Sequence, residues 1–298
     1  MFIFQLAVLF VLIIIGLFSE PERGSILDLI CIILILVFGV PHGALDHKIH
    51  LTVNQNTSLK AFLFKYLLVG GFYAIWWILH PKSAIWFFIL ISSYHFGQET
   101  FESYNLKAGW VGRFLTGGFL VIGSLLFHYE ETIQFITTIG SGIIPFIQTD
   151  TSIFIALLLT LINLTFLAIL FFKTSEKEKY IKLILFCALY VLININYSLL
   201  VSFTIYFIFF HSLNAFKHQY EWLKKQYSSY NIRKFFANLS GFSLLAIIGI
   251  VLILLLFNLE SMPKMITYFF MLISIITLPH VITFDEFYRK RSDVNQNY

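Results

Sequence analysis

The sequence predicts an all-α, polytopic bundle of about ten membrane-spanning helices in a single integral membrane domain over residues 1–298. Three observations carry that expectation. Charged residues make up 12% of the 298 residues and hydrophobic residues 58%. A water-soluble chain carries about 25% charged residues, and so few charges cannot cover a water-facing surface. Apolar runs recur along the whole chain at about the 17 to 25 residues that cross a bilayer. Finally, Lys and Arg fall almost entirely on alternate loops.

Taken in order, the predicted spans lie near 2–18, 25–45, 61–80, 84–97, 110–127, 152–172, 181–193, 198–215, 237–257 and 265–284. The first run lacks a basic leader and a small-residue cleavage site, so it reads as a retained span and not a signal peptide. The 84–97 segment is short and is set off only by His80-Pro81-Lys82-Ser83. The stretch from Tyr180 to Phe216 is too long for one helix and divides at Asn194-Ile195-Asn196-Tyr197. Eight or nine spans result if these short segments do not cross.

With both termini in the cytoplasm, the cytoplasmic loops and their edges gather nearly all the basic residues. The opposite face keeps only Arg23, Lys82 and Lys264, as the positive-inside rule requires. The largest charged loop, 214–235, reads as an amphipathic surface segment with Tyr220, Trp222 and Leu223 among lysines. Ser292 to Tyr298 read as a frayed tail. The net charge of +4 marks no nucleic-acid surface. Cys31 and Cys187 sit in apolar runs and supply neither a disulfide framework nor a thiolate site.

Of the nine histidines, His42, His95, His211 and His280 lie near the ends of even-numbered predicted spans. All four are therefore expected at similar depth on the cytoplasmic side. An ionisable group there is costly unless it faces the bundle interior and finds a partner. Four imidazoles at one level suit iron, zinc, copper or nickel. A cage of neutral imidazoles also needs nearby carboxylates to fix each ring's tautomer, and Asp46, Glu99, Asp285 and Glu286 follow three of the histidines by four to six residues. The bland alternative is four rings that bond backbone carbonyls at helix ends. His47 and His50 read as surface residues, His80 and His128 as interfacial, and His218 as solvated in a basic loop.

Several chemistries have no footing. The chain has no His-Glu-x-x-His, no desaturase-type histidine boxes, no Gly-x-Ser-x-Gly elbow and no P-loop. A histidine-dependent transporter or proton pathway predicts inverted repeats. The only echo is Val40-Pro41-His42 in Leu278-Pro279-His280, which is too short. A multi-haem protein predicts histidine pairs at both membrane faces, and a structural factor predicts histidines that matter only for stability.

Gly39-Val40-Pro41-His42-Gly43-Ala44-Leu45-Asp46-His47 resembles the Gly-x-Pro-His-Gly-Ala-x-Asp signature of the Brp/Blh family, bacterial and archaeal membrane proteins described as beta-carotene 15,15'-dioxygenases. Tyr94-His95-Phe96-Gly97, Phe210-His211-Ser212 and Leu278-Pro279-His280 with Asp285 resemble its later segments in order, so the resemblance runs from about residue 35 to 288. It implies a non-haem Fe(2+) held by histidines, with His42, His95 and His211 at proposed ligand positions. The family pattern often places a second histidine four residues after the His-Ser segment. Here that position is Ala215, so His280 is the expected fourth ligand by depth, with His218 and His47 as alternatives. No catalytic side chain beyond the metal site is expected. The resemblance further implies a lipid-dissolved carotenoid substrate, O2, retinal as product, the bacterial inner membrane, and a retinal-binding, rhodopsin-type protein downstream. The 35 phenylalanines and 15 tyrosines offer walls for an apolar tunnel, with Tyr94, Phe96 and Phe210 as candidates beside the histidines.

Overall fold

A computed structural model describes residues 24–139, 147–256 and 262–296. The first predicted span, 2–18, lies outside the described residues. Those residues are helical throughout, with short connections and no strand among them. Seven helical stretches among the described residues are long and apolar enough to cross a membrane: Leu27–Val53, Leu59–Leu79, Trp110–Phe127, Thr149–Lys173, Leu199–Gln226, Ile232–Leu256 and Lys264–Ser292. The predicted 84–97 and 181–193 segments fall inside two further helices, Pro81–Ser103 and Lys177–Asn196. The predicted division near 194–197 coincides with the end of one helix at Asn196 and the start of the next at Leu199. Exposed faces are apolar, as at Leu67, Phe72, Phe172 and Leu256, which is the surface a helix turns to lipid.

The chain divides into two compact units. Within the described residues, the first collects 24–34, 92–137 and 147–211, and the second collects 35–91, 138–139, 212–256 and 262–296.

In the first unit, small residues set the closest approach. A Cβ on Gly97 would lie 1.8 Å from the Arg113 carbonyl oxygen, and one on Gly117 would lie 1.6 Å from that of Ser93. Only hydrogen at both positions lets the two backbones touch, the small-residue packing of membrane helices. Polar side chains bond across the remaining seams. Thr116 donates to Asn163 Oδ1 at 2.9 Å and Ser124 donates to Asn194 Oδ1 at 2.6 Å. Around Phe119–Gly123 the helix widens into a π turn, and the buried Tyr190 hydroxyl donates to the Leu120 carbonyl at 2.7 Å. A second π turn, Phe207–Ser212, follows the Leu199–Tyr206 helix. That helix starts where the Glu131 carboxylate accepts from the Leu199 N–H at 2.9 Å, satisfying a donor that a helix start leaves without an intrahelical acceptor.

In the second unit, Ser58 caps the Leu59–Leu79 helix by accepting from the Ala61 N–H. That helix packs on the long Met262–Gln296 helix, where Trp77 Nε1 donates to Ser274 Oγ at 2.8 Å. Pro279 lies inside the long helix and has no N–H for the carbonyl of Ile275, four residues back. A Cβ on Gly70 would come within 3.6 Å of that carbonyl oxygen, an ordinary van der Waals contact. The apolar core joins Leu45, Ile49, Trp222, Leu223, Phe284 and Phe287.

Two expectations are corrected here. Residues 214–226 are not a surface segment. They form the Leu213–Gln226 helix, which buries Asn214, Ala215, His218, Gln219, Trp222 and Leu223, and Trp222 Nε1 donates to Thr52 Oγ1 at 2.8 Å. The C-terminal helix also continues past Ser292 to Gln296 instead of fraying there.

Candidate functional site

Each unit carries a buried pair of histidines with one carboxylate. In the first unit, His95 projects from the Pro81–Ser103 helix and His211 from the Phe207–Ser212 π turn. Both are 1% exposed, and their rings meet edge-on with centroids 5.2 Å apart. Glu99, one helical turn beyond His95 and also buried, reaches His211 Nδ1 with a carboxylate oxygen. A π turn adds a residue to the helical circuit and turns the following side chains to a new direction, a device common at functional sites.

In the second unit, His42 follows the π turn Ile35–Gly39, and His280 follows Pro279. Their centroids lie 4.6 Å apart at an interplanar angle of 85°. Both oxygens of buried Asp46 lie 3.0 Å from His280 Nδ1, and the Tyr66 hydroxyl donates to Asp46 Oδ2 at 2.9 Å. His42 Nδ1 bonds the carbonyl of Gly39, while Gln219 Nε2 donates to the His42 carbonyl at 2.6 Å. A Cβ on Gly43 would stand 3.4 Å from His280 Nδ1.

The two units use one device. In each, an acid stands four residues after a histidine and turns to the histidine of the neighbouring helix; His95 and Glu99 share a face of one helix, while a turn at Ala44-Leu45 separates His42 from Asp46. In His42 and His280 the Nδ1–H donates to a carbonyl and a carboxylate, which makes Nε2 the nitrogen with the coordinating lone pair, and Nδ1 of His211 faces the Glu99 carboxylate. Metal-binding imidazoles are held in this way, with the opposite ring nitrogen bonded to a carboxylate or carbonyl that fixes tautomer and orientation. Buried neutral imidazoles so arranged fit a divalent transition metal.

The remaining candidates lie elsewhere. Asp285 pairs with Arg289 at 2.8 Å. Glu286 accepts from Asn54 Nδ2 at 2.9 Å and lies 3.2 Å from His50 Nδ1. His218 is buried, contrary to the expectation of a solvated ring, and its Nδ1 lies 3.2 Å from the Tyr288 hydroxyl. The half-buried His47 bonds the Ala44 carbonyl through Nδ1 and packs against Phe242. His80 is exposed, and His128 Nδ1 lies 3.6 Å from Glu131. Among the expected wall residues, Tyr94 accepts from Arg113 Nη1 at 2.7 Å, Phe96 packs 4.7 Å from the His211 ring, and Phe210 packs 4.6 Å from Phe186. Sequence reasoning missed Tyr66, Gln219, Phe203 and Phe207. The last two stand eight and four residues before His211, a helical spacing that was there to be read.

A family model described as beta-carotene 15,15'-dioxygenase matches residues 33–288. A protein named beta-carotene 15,15'-dioxygenase from uncultured marine bacterium 66A03 is 28% identical over 134 residues, covering 43% of this chain and 48% of that relative. The match thus spans about half the length of the curated relative. No solved structure matches the chain.

Proposed function

The chain belongs to the beta-carotene 15,15'-dioxygenase family, and from that premise we propose that it cleaves beta-carotene with O2 at the central double bond to give two molecules of all-trans-retinal. The observation that carries the reading is the device repeated in each unit: a buried histidine pair with a carboxylate on one ring, Glu99 on His211 and Asp46 on His280, all within the matched segment. Spanning helices add support, because the substrate dissolves in lipid and a protein in the bilayer receives it laterally.

Fe(2+) is the proposed cofactor; when bound by imidazoles with open positions it supplies the binding and activation of O2. His42, His95, His211 and His280 are its proposed ligands, on the basis of their matched depth in the sequence and of the family motifs. Glu99 and Asp46 hold two of the rings in the tautomer that presents Nε2. The aromatic side chains around His211 exclude water and align the alkene, and alignment is a large part of what a protein contributes to such a step. No other side chain is assigned a catalytic role. The proposed setting is the bacterial inner membrane, with ten spans and both termini in the cytoplasm. Retinal would pass to a retinal-binding, rhodopsin-type protein.

The test is expression in cells that accumulate beta-carotene, with extraction of pigments and assay of iron in the purified protein. Wild type should bleach the cells and yield retinal. His42→Ala, His95→Ala, His211→Ala and His280→Ala should each retain the pigment at equal protein level and lose iron. Persistent beta-carotene with a well-expressed, iron-loaded wild type would overturn the assignment and turn attention to transport.

A further inference from the structure

The first unit contains a line of aromatic rings that ends on a proposed ligand. Phe203 and Phe207 stack with centroids 5.2 Å apart at 17°, and Phe207 and His211 stack with centroids 5.1 Å apart, also at 17°. The rings recur every four residues, which in a regular helix does not keep them in line. With 3.6 residues per turn, a step of four overshoots a full circuit by about 40°. Two such steps would swing His211 well around the helix. The second step instead runs through the Phe207–Ser212 π turn, where one circuit takes more than four residues. Four residues there fall short of a circuit, and the two offsets oppose each other. The widened turn thus brings His211 back into register with both phenylalanines.

Exposure falls along the line. Phe203 is half-buried, Phe207 is 6% exposed and His211 is 1% exposed. Phe96 flanks all three rings, with centroid distances of 6.4 Å to Phe203, 6.2 Å to Phe207 and 4.7 Å to His211. Near-parallel rings at these spacings are offset-stacked, so the two consecutive steps make a stepped stack that presents a row of ring edges along its side.

We infer that Phe203 and Phe207 form a rail that seats a planar, extended polyene and leads it to His211. This rests on the proposed carotenoid reading and adds specificity-determining residues to it. A conjugated chain is flat, apolar and polarisable, and aromatic rings in register offer it continuous dispersion contact without a polar group to desolvate. Leucine keeps the apolar character of each position but removes the aromatic edge that meets the π face of a polyene, so it separates the rail from mere hydrophobic filling.

The experiment is anaerobic binding of beta-carotene to the purified full-length protein in detergent, where no turnover occurs. The red shift of the visible absorption band reports occupancy. Phe203→Leu and Phe207→Leu should each raise Kd on the order of three- to tenfold, the size of a lost aromatic contact. Phe172→Leu, which alters an exposed ring, should match wild type. If Phe207→Leu fails to fold, the half-buried Phe203→Leu decides the question. Wild-type affinity in the folded leucine variants would overturn the rail and leave the carotenoid reading intact. A wild type that binds no beta-carotene would overturn both.

Discussion

Asp46 places both carboxylate oxygens 3.0 Å from Nδ1 of His280, a residue 234 positions away in the chain, although His47 adjoins it in sequence and His42 stands only four residues before it. The acid serves the ring across the helix contact and fixes its tautomer. Asp46→Asn should therefore act through His280. The amide keeps the volume but loses the charge that favours Nδ1–H, so metal affinity should fall about 10- to 100-fold. Iron per purified protein, titrated with Fe(2+), reads this directly. Tyr66→Phe removes only the hydroxyl that donates to Asp46 and should produce a smaller loss in the same direction.

Glu99 repeats the arrangement on His211, and Glu99→Gln should lower iron affinity as Asp46→Asn does. With both carboxylates supporting one bound ion, the double variant should lose more iron affinity than either single variant. A double variant no worse than either single one would mean that the two carboxylates do not support the same bound ion.

Much of this was open to a reader of the sequence. The cost of an ionisable group among apolar runs placed His42, His95, His211 and His280 inside the bundle, and all four are buried. The division near Asn194 followed from a run too long for one helix. What could not be read was which acid meets which ring, because that depends on the neighbouring helix and not on chain proximity. Asp285 and Glu286 illustrate the reason. Five and six residues beyond His280, they stand about 140° and 240° around the helix from it, and they turn to Arg289 and to Asn54 with His50. His218 was misread because its neighbours are charged. The signal lay in the spacing: Asn214, Ala215, His218, Gln219, Trp222 and Leu223 form one apolar-facing stripe, the pattern of a packed helix.

That burial bears on the choice of fourth ligand. His218 Nδ1 lies 3.2 Å from the Tyr288 hydroxyl, and it is expected to pack the second unit and not to bind iron. His218→Gln should leave iron content near that of wild type while lowering thermal stability by about 1–3 kcal/mol, the cost of disturbing a buried hydrogen bond. His280→Ala should lose iron. Added Fe(2+) should accordingly raise the melting temperature of His218→Gln but not that of His280→Ala, since only a state that binds the ion is stabilised by it. The reverse pattern would make His218 the ligand.

The glycines of the first unit give a sharper steric test. Gly97→Ala places a methyl 1.8 Å from the Arg113 carbonyl oxygen, a contact that backbone must yield to accommodate. Overpacking of this kind costs about 1–3 kcal/mol or more, and here it also displaces the helix that carries His95 and Glu99. The variant should express poorly, melt early and hold little iron. Gly118→Ala is the control: a Cβ there meets nothing within 4 Å, and alanine in a helix is favoured over glycine by up to about 1 kcal/mol. That variant should melt at or slightly above the wild-type temperature with full iron content. Equal behaviour of the two variants in a thermal-stability assay would mean that the Ser93–Gly97 and Arg113–Gly117 backbones do not touch in the membrane. The position of His95 would then owe nothing to this crossing.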